Sequence, residues 1–220
     1  MIRPLALLAS LLLFAGCGDG PPANTPAAAN GASAAPKSAP AAPADIVRVR
    51  LQTEAGAIDL ALDARRAPAT TANFLLYVDE RRFDGTSFYR ATRTRGTAGR
   101  GFIQGGIRRD YALMLPPVAH EPTSRTGLRH VNGTISMART EPGTAMGDFF
   151  ITLGAMPSMD AGGRQAGDNL GYAAFGRVVG GRDVVARILA APTAANAGAG
   201  AMRGQMIAAP VRILAARRLP

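Results

Sequence analysis

Residues 84–106 read DGTSFYRATRTRGTAGRGFIQGG. The segment begins with an aromatic strand that carries Arg90 near its end, continues through a loop of Arg, Gly and Thr, and closes with a short apolar run and Gln104-Gly105-Gly106. On adjacent strands, a permanently charged guanidinium stands beside a Gln amide. Such a pair can recognise a peptide carbonyl, but it supplies neither a nucleophile nor a general base.

The composition favours one domain of short strands. The chain has 220 residues with 26 Gly, 16 Pro and no Trp, which is typical of many turns and few long helices. The net charge of +10 comes from scattered Arg residues without a basic stripe interleaved with aromatics, so we predict no nucleic-acid partner. The two His residues, His120 and His130, have no metal-site spacing, and we predict neither a metal nor a cofactor.

The first residues, MIRPLALLASLLLFAGC, are typical of a bacterial export signal, with an apolar run too short to span a bilayer comfortably. Phe14-Ala15-Gly16-Cys17 resembles a lipoprotein lipobox, and Cys17 is the only cysteine. We therefore predict a signal peptide at 1–16, lipidation of Cys17 and a disordered Ala/Pro-rich linker over 17–45. The prediction places the protein in the cell envelope, facing the periplasm and anchored to a membrane. The alternative is an ordinary signal peptide that is cleaved elsewhere and discards Cys17.

The folded part is predicted to span residues 46–220 and to be mostly β. Residues 46–51 and 58–62 alternate apolar and polar side chains, as the strands of a half-buried hairpin do. About eight short strands and two helices favour a closed barrel capped by the helices. The strands are predicted at 46–51, 58–62, 86–91, 102–104, 134–139, 149–153, 172–179 and 211–216, and the helices at 68–80 and 183–189.

Several segments, in order, match one family. They are PATTANFLLYV, FDGTSFYR, FIQGG, GTISMAR, DFFITLG and YAAFGRVVGGRDVV. Over residues 46–216 the chain resembles the cyclophilins, the peptidyl-prolyl cis–trans isomerases. The resemblance implies an eight-stranded antiparallel barrel with a helix over each end.

The resemblance also implies site residues. The Arg of the family's Phe-His-Arg motif falls on Arg90, the catalytic residue, and its Gln before two glycines falls on Gln104. Its Met-Ala pair falls on Met137-Ala138, and Met137 is expected to line the proline pocket with Phe150 and Met159. Arg139 follows, and its backbone would bind the peptide. The second residue of its Phe-Phe pair, which lines the proline pocket, falls on Phe150.

Other matches depart from the family pattern. Asp148 stands where the family has Gln, Met159 where it has Leu, and Tyr172 where it has a pocket His. The usual pocket Phe is replaced by Gly101, so either Phe102 turns into the pocket wall or that wall is thinner. Ser158 replaces a Trp that contacts the family's cyclic-peptide inhibitor, and we expect weak inhibition by that drug.

The function implied is isomerisation of X–Pro bonds, which would assist the folding of exported proteins. The expected partners are proline-containing segments of unfolded proteins, and we expect a monomer. One alternative is a cyclophilin-fold peptide-binding module or chaperone with little turnover, which Gly101 and Ser158 favour. Another is a purely structural envelope lipoprotein, which would have no affinity for proline peptides.

Overall fold

The computed structural model describes residues 45–164 and 167–220, so the predicted signal peptide and Cys17 lie outside the described part. Eight antiparallel strands form a closed barrel in the order β1-β2-β7-β5-β6-β4-β3-β8. The strands are β1 Ile46–Thr53, β2 Gly56–Asp63, β3 Ser87–Arg93, β4 Gly101–Gly106, β5 Thr134–Met137, β6 Phe149–Leu153, β7 Ala174–Gly180 and β8 Met206–Arg218. The helices are α1 Pro68–Asp79, α2 Thr123–Thr126 and α3 Arg182–Ala190, with 3-10 turns at Pro157–Met159 and Gly200–Met202.

Alternation of side chains forms the first hairpin. Val49 and Leu51 of β1 are fully buried, whereas Arg50 between them is exposed and binds Asp59 of β2 through two hydrogen bonds of 2.7 and 2.8 Å. The period of two puts the apolar residues inside the barrel and the charged residues outside. The hairpin is closed into the barrel by β8, which pairs with both β1 and β3.

Helix α1 begins at Pro68, and Ala67 before it makes no capping hydrogen bond through its side chain. The carboxylate of Glu121, 51 residues after Thr70, takes that place and accepts hydrogen bonds from the backbone N–H groups of Ala69 at 3.3 Å and Thr70 at 2.7 Å. Glu121 is fully buried. An anion at a helix N-terminus satisfies free N–H groups and complements the helix dipole.

Aromatic rings join α1 to the barrel core. Phe74 of α1 lies 4.9 Å from Phe83 and 5.4 Å from Phe149 of β6, and it also contacts Phe175 of β7 at 5.3 Å. All four rings are fully buried. The packing fixes β6 between the core and the outer surface, so that Phe149 points inward while its neighbour Phe150 points outward.

The predicted architecture is confirmed, with differences in detail. The eight strands and both long helices are present, and the short helix α2 is an addition in a segment predicted to be irregular. The last strand begins at Met206 instead of Val211, because its first residues pair with β3 at Arg90. Within residues 45–164 and 167–220, no helix is long and apolar enough to cross a membrane.

Candidate active site

Strand register places Arg90 beside Gln104, as predicted. The two residues are paired across β3 and β4, and an irregularity between Phe88 and Arg90 shifts the register by one residue. Arg90 donates from Nη1 to Oε1 of Gln104 at 2.9 Å. Gln104 in turn donates from Nε2 to the hydroxyl of Tyr89 at 2.8 Å. Gln104 therefore orients the guanidinium from one side.

A second amide, absent from the sequence prediction, holds the other side of Arg90. Arg90 donates from Nε at 2.9 Å and from Nη2 at 2.7 Å to Oε1 of Gln205, and the Thr92 hydroxyl donates to the same oxygen at 2.7 Å. Gln205 lies immediately before β8, and its Nε2 donates to the carbonyl of Ala201 at 2.7 Å. It is fixed at both ends and can position the guanidinium. An isolated Gln in a Gly/Ala-rich loop carries no sequence signal for this role.

The hydrogen bonds of Arg90 leave part of it available to a ligand. An Arg side chain has five N–H groups, and three of those of Arg90 are used within the protein. Both acceptors are neutral amide oxygens, so the positive charge is not compensated by these contacts. Burial lowers the pKa of Arg90 from its ordinary value, yet a guanidinium stays protonated in proteins. Two charged donors remain for a bound peptide.

An aromatic cup lies next to Arg90. Phe150 is edge-on to Tyr172 at 5.3 Å and lies 5.4 Å from Phe102, and Met159 completes the buried cluster. Ala138, Met156 and Tyr172 pack against this cluster from outside. The sequence prediction brought Phe150, Met159, Tyr172, Ala138 and Phe102 to the site, and the structure brings all five together. The cup is an apolar surface of the size of a small ring.

Phe102 turns into the pocket wall. A side chain at Gly101 would collide with the carbonyl oxygen of Thr92, and the φ of Gly101 is +151°, so this position accepts only glycine in this backbone. The next residue, Phe102, is 8 % exposed and packs on Phe150. The guanidinium of Arg90 lies 5.1 Å from the centre of its ring, a cation–π contact. The wall is therefore complete.

Met137 does not line the cup, and the prediction for this residue is wrong. Its side chain is 1 % exposed and packs into the barrel core. On β5, Met137 pairs with Phe149, whereas Ser136 pairs with Phe150. Directly paired residues share a face, so Met137 points inward with Phe149.

A buried polar group supports the cup from behind. The ring of His130 stacks on Phe150 at 5.7 Å with an angle of 12° between the planes. Its Nδ1 lies 2.7 Å from Asp160 Oδ1, and its Nε2 lies 2.9 Å from the Ser136 hydroxyl. Burial lowers the pKa of His130, so the neutral ring donates to Asp160 and accepts from Ser136. The three residues are at most 4 % exposed and are closed to a substrate.

Two charged residues flank the groove. Asp148 accepts from the Tyr89 hydroxyl at 3.2 Å and from the backbone N–H of Arg108 at 2.8 Å, and burial raises the pKa of Asp148. Arg139 donates to Asp168 at 2.7 and 2.9 Å, and its guanidinium lies 5.3 Å from the ring of Tyr172. Both side chains are engaged within the protein, so they shape the groove more than they offer charge to it.

Together these residues line one groove of about 980 Å³. Apart from Met137, every substrate-contacting residue predicted from the sequence is in its lining. Residues 45–164 and 167–220 contain no group of three or more His, Cys, Asp or Glu side chains that could hold a metal ion. The groove offers a fixed cation beside an apolar cup, which suits binding and polarising a peptide.

Comparison with known proteins agrees with this geometry. The family model for cyclophilin type peptidyl-prolyl cis-trans isomerase/CLD matches residues 48–217. The chain is 40 % identical over 141 residues to peptidyl-prolyl cis-trans isomerase A of Dickeya dadantii, which covers 64 % of this chain and 70 % of the relative. It is 36 % identical over 151 residues to peptidyl-prolyl cis-trans isomerase cyp18 of Streptomyces antibioticus, covering 68 % and 87 %.

The fold also matches solved structures. A Cryptosporidium parvum cyclophilin type peptidyl-prolyl cis-trans isomerase superposes with a TM-score of 0.61 at 19 % identity, covering 80 % of this chain and 98 % of that one. The same protein crystallised in the presence of the dipeptide Ala-Pro gives a TM-score of 0.60 at 20 % identity, covering 79 % and 99 %.

Proposed function

The chain belongs to the cyclophilin-type peptidyl-prolyl cis–trans isomerases, and we propose that Arg90 is the catalytic residue with which it rotates X–Pro bonds. The observation that supports this role is the position of Arg90 between two amide acceptors, with two N–H groups left over beside the aromatic cup. The substrates are proline-containing peptide segments, as for the family.

The reaction needs electrostatics and shape, without a nucleophile. Resonance in the amide gives a rotation barrier of roughly 18–20 kcal/mol, and X–Pro exchange takes tens of seconds or more uncatalysed. In the twisted state the prolyl nitrogen loses conjugation and regains a lone pair. A fixed guanidinium that donates to this nitrogen, or to the neighbouring carbonyl, stabilises the twisted state more than either planar state. Arg90 is placed and charged for this step.

The cup and the rest of the groove bind different parts of the peptide. We assign the pyrrolidine ring to the cup of Phe150, Phe102 and Met159, which has no polar atom to compete for the proline nitrogen. Gln104 and the backbone at Arg139 bind the peptide on either side, and Tyr172 and Ala138 border the cup. Because one end of the peptide is held in the cup, rotation moves the other end, which lies in the open part of the groove.

The test is isomerisation of a proline-containing peptide, followed by exchange NMR or a protease-coupled assay. Arg90→Ala is expected to lower kcat/KM by about 100-fold or more, as loss of one preorganised donor does. Arg95→Ala, in the exposed loop before β4, is the matched control and should keep full activity. If Arg90→Ala retained most of the wild-type rate, the assignment would be wrong.

The rival reading, a peptide-binding module with little turnover, predicts a different pattern. The peptide would then bind in an NMR titration while the wild-type protein left its exchange rate unchanged. Of the two features that favour this alternative, Ser158 remains, but the thin wall at Gly101 is not present, because Phe102 packs on Phe150. We therefore favour turnover.

We further propose that the protein acts on exported proteins while anchored in the bacterial envelope, facing the periplasm, as a monomer. The support is the lipobox-like Phe14-Ala15-Gly16-Cys17 behind an apolar run, with Cys17 the only thiol of the chain. Metabolic labelling with a fatty acid should mark the wild-type protein, and Cys17→Ser should abolish the label. Recovery of unlabelled wild-type protein in the soluble fraction would contradict the anchor.

A further inference from the structure

A second concave surface lies away from the active site. It is formed by the outer faces of β1, β2 and β7 with helix α1, has a volume of about 1350 Å³ and shares no lining residue with the active-site groove. In the order of the barrel, these strands lie opposite β6, β4 and β3, which carry the active site. We call this surface the basic groove. Its rim includes Ile46, where the folded part begins and the predicted linker ends.

Exposed apolar side chains concentrate at the basic groove. Within residues 45–164 and 167–220, eight large hydrophobic side chains are exposed. Four of them line this groove, namely Ile46, Leu76, Val131 and Val179, with exposed fractions of 48, 44, 52 and 45 %. Because they come from four separate segments, local sequence alone does not explain their grouping. Exposed apolar groups gathered at one place mark an interaction surface.

The charge of the basic groove is positive. Five arginine side chains line it, against two acidic side chains, Asp63 and Asp79. Each carboxylate is paired inside the groove, Asp63 with Arg66 at 2.7 Å and Asp79 with Arg218 at 2.6 Å. The other three arginines, Arg48, Arg129 and Arg177, are an excess positive charge, and Arg129 has only a 3.8 Å contact with Asp160.

We propose that the basic groove docks on the surface of a membrane that contains anionic phospholipids. Arginines place their charge among phosphate headgroups while their apolar stems, and side chains such as Ile46 and Val179, contact the acyl boundary. Asp63 and Asp79 are each paired with an arginine, so they do not repel anionic headgroups. The other three arginines provide the attraction. Docking on this side leaves the active-site groove, on the opposite strands, open to clients.

The docking rests on the proposed location at a membrane, but it does not require an acyl chain on Cys17. A flexible linker of the predicted length spans roughly 30 Å, so an anchored domain stays within reach of the surface. To separate the two ideas, the experiment uses a chain that begins at residue 17 with Cys17→Ser. This chain keeps the closed barrel and its core, which lie entirely within residues 45–220. Its failure to bind would leave the acylation result untouched.

The assay is cosedimentation with vesicles of phosphatidylcholine alone or mixed with phosphatidylglycerol. We expect binding to the mixed vesicles only, weakened by added salt. The pair Arg48→Glu with Arg177→Glu should weaken binding by about 25-fold or more, since each arginine near an anionic surface contributes about fivefold. The control pair, Arg95→Glu with Arg212→Glu, changes the net charge equally outside the groove and should have little effect.

A third variant tests the apolar contact. Val131→Ser with Val179→Ser removes two exposed side chains and should also weaken binding to the mixed vesicles. All these variants should isomerise a proline peptide at the wild-type rate, because none touches the active-site groove. Equal losses for the groove and control pairs would overturn the proposal, as would no binding to the mixed vesicles. If the groove variants kept their binding to vesicles but lost binding to an unfolded polypeptide, the groove would be a binding site for clients instead.

Discussion

Replacing Gln205 by Ala removes the oxygen that accepts two of the three internal hydrogen bonds of Arg90. The hydroxyl of Thr92 loses the same partner. The guanidinium then keeps one hydrogen bond, to Gln104, and its cation–π contact with Phe102, so its orientation is less restricted. A hydrogen bond to a charged group contributes about 1.5–3 kcal/mol, so the loss of orientation should lower kcat/KM by about 10- to 100-fold.

Gln205→Glu distinguishes positioning from packing. A carboxylate keeps an acceptor at the same place and strengthens the contact with Arg90, but it also neutralises the charge that the twisted amide needs. Glu cannot donate to the Ala201 carbonyl as the Gln205 amide does, so the stability of this variant is measured beside its activity. If Gln205 mattered only as the acceptor that fixes Arg90, Glu would restore activity. If Arg90 must keep an uncompensated charge, the Glu variant should be at least as inactive as the Ala variant.

The assay measures kcat and KM separately on one proline peptide, with thermal unfolding of each variant. We expect the loss mainly in kcat, because Gln205 does not belong to the aromatic cup that holds the ring. Asn196→Ala, which removes an exposed amide from the same loop, is the control and should change neither constant. Wild-type kcat in Gln205→Ala, or its recovery in Gln205→Glu, would show that Gln205 does not position Arg90 for catalysis.

Four further changes have definite expectations. Phe102→Ala opens the cup and removes the cation–π contact, so KM for a proline peptide should rise about tenfold, as peptide titration can check. Burial lowers the pKa of His130, so the unfolded chain takes up a proton first and the free energy of unfolding should fall as pH drops below 6.5. His130→Gln should flatten this pH dependence in urea titrations. An unchanged pH dependence would show that His130 is not its source. Burial raises the pKa of Asp148, so its ionisation lowers the free energy of unfolding as pH rises above 3.8. Asp148→Asn should raise the free energy of unfolding at pH 7. A decrease would contradict this effect of burial. Glu121→Gln weakens the cap of α1 and should cost about 1–3 kcal/mol in the same titrations, whereas the exposed Glu141→Gln should cost nothing measurable.

Local sequence patterns were sufficient to predict the barrel and one of the two amides that hold Arg90, that of Gln104. The alternation in residues 46–62 predicts the first hairpin, and the succession of two strands joined by one Gly-rich loop predicts the pairing of Arg90 with Gln104. Gln205 was out of reach because it lies 115 residues from Arg90 in a loop without periodicity. Only closure of the barrel by β8 brings it there, and that is a long-range event.

At two pairs of consecutive residues, the match to the family motif and the observed side-chain positions differ. Met137 and Ala138 match the family together, but Met137, the last residue of β5, packs in the core, and only the next residue, Ala138, reaches the groove. Gly101 and Phe102 show the reverse. The motif position is lost at Gly101, whose φ is +151°, and the aromatic ring is supplied one residue later by Phe102, which packs on Phe150.

The place of β8 between β1 and β3 also determines when the protein can complete its fold. Val49 of β1 pairs with Arg218 of β8, so the first strand keeps an open edge until the last strand is available. At 5–20 residues per second, synthesis of the intervening chain takes about 10–30 s. An emerging chain with an open barrel edge invites pairing with other chains. A peptidyl-prolyl isomerase of this topology therefore itself depends, during its own synthesis, on protection of that edge.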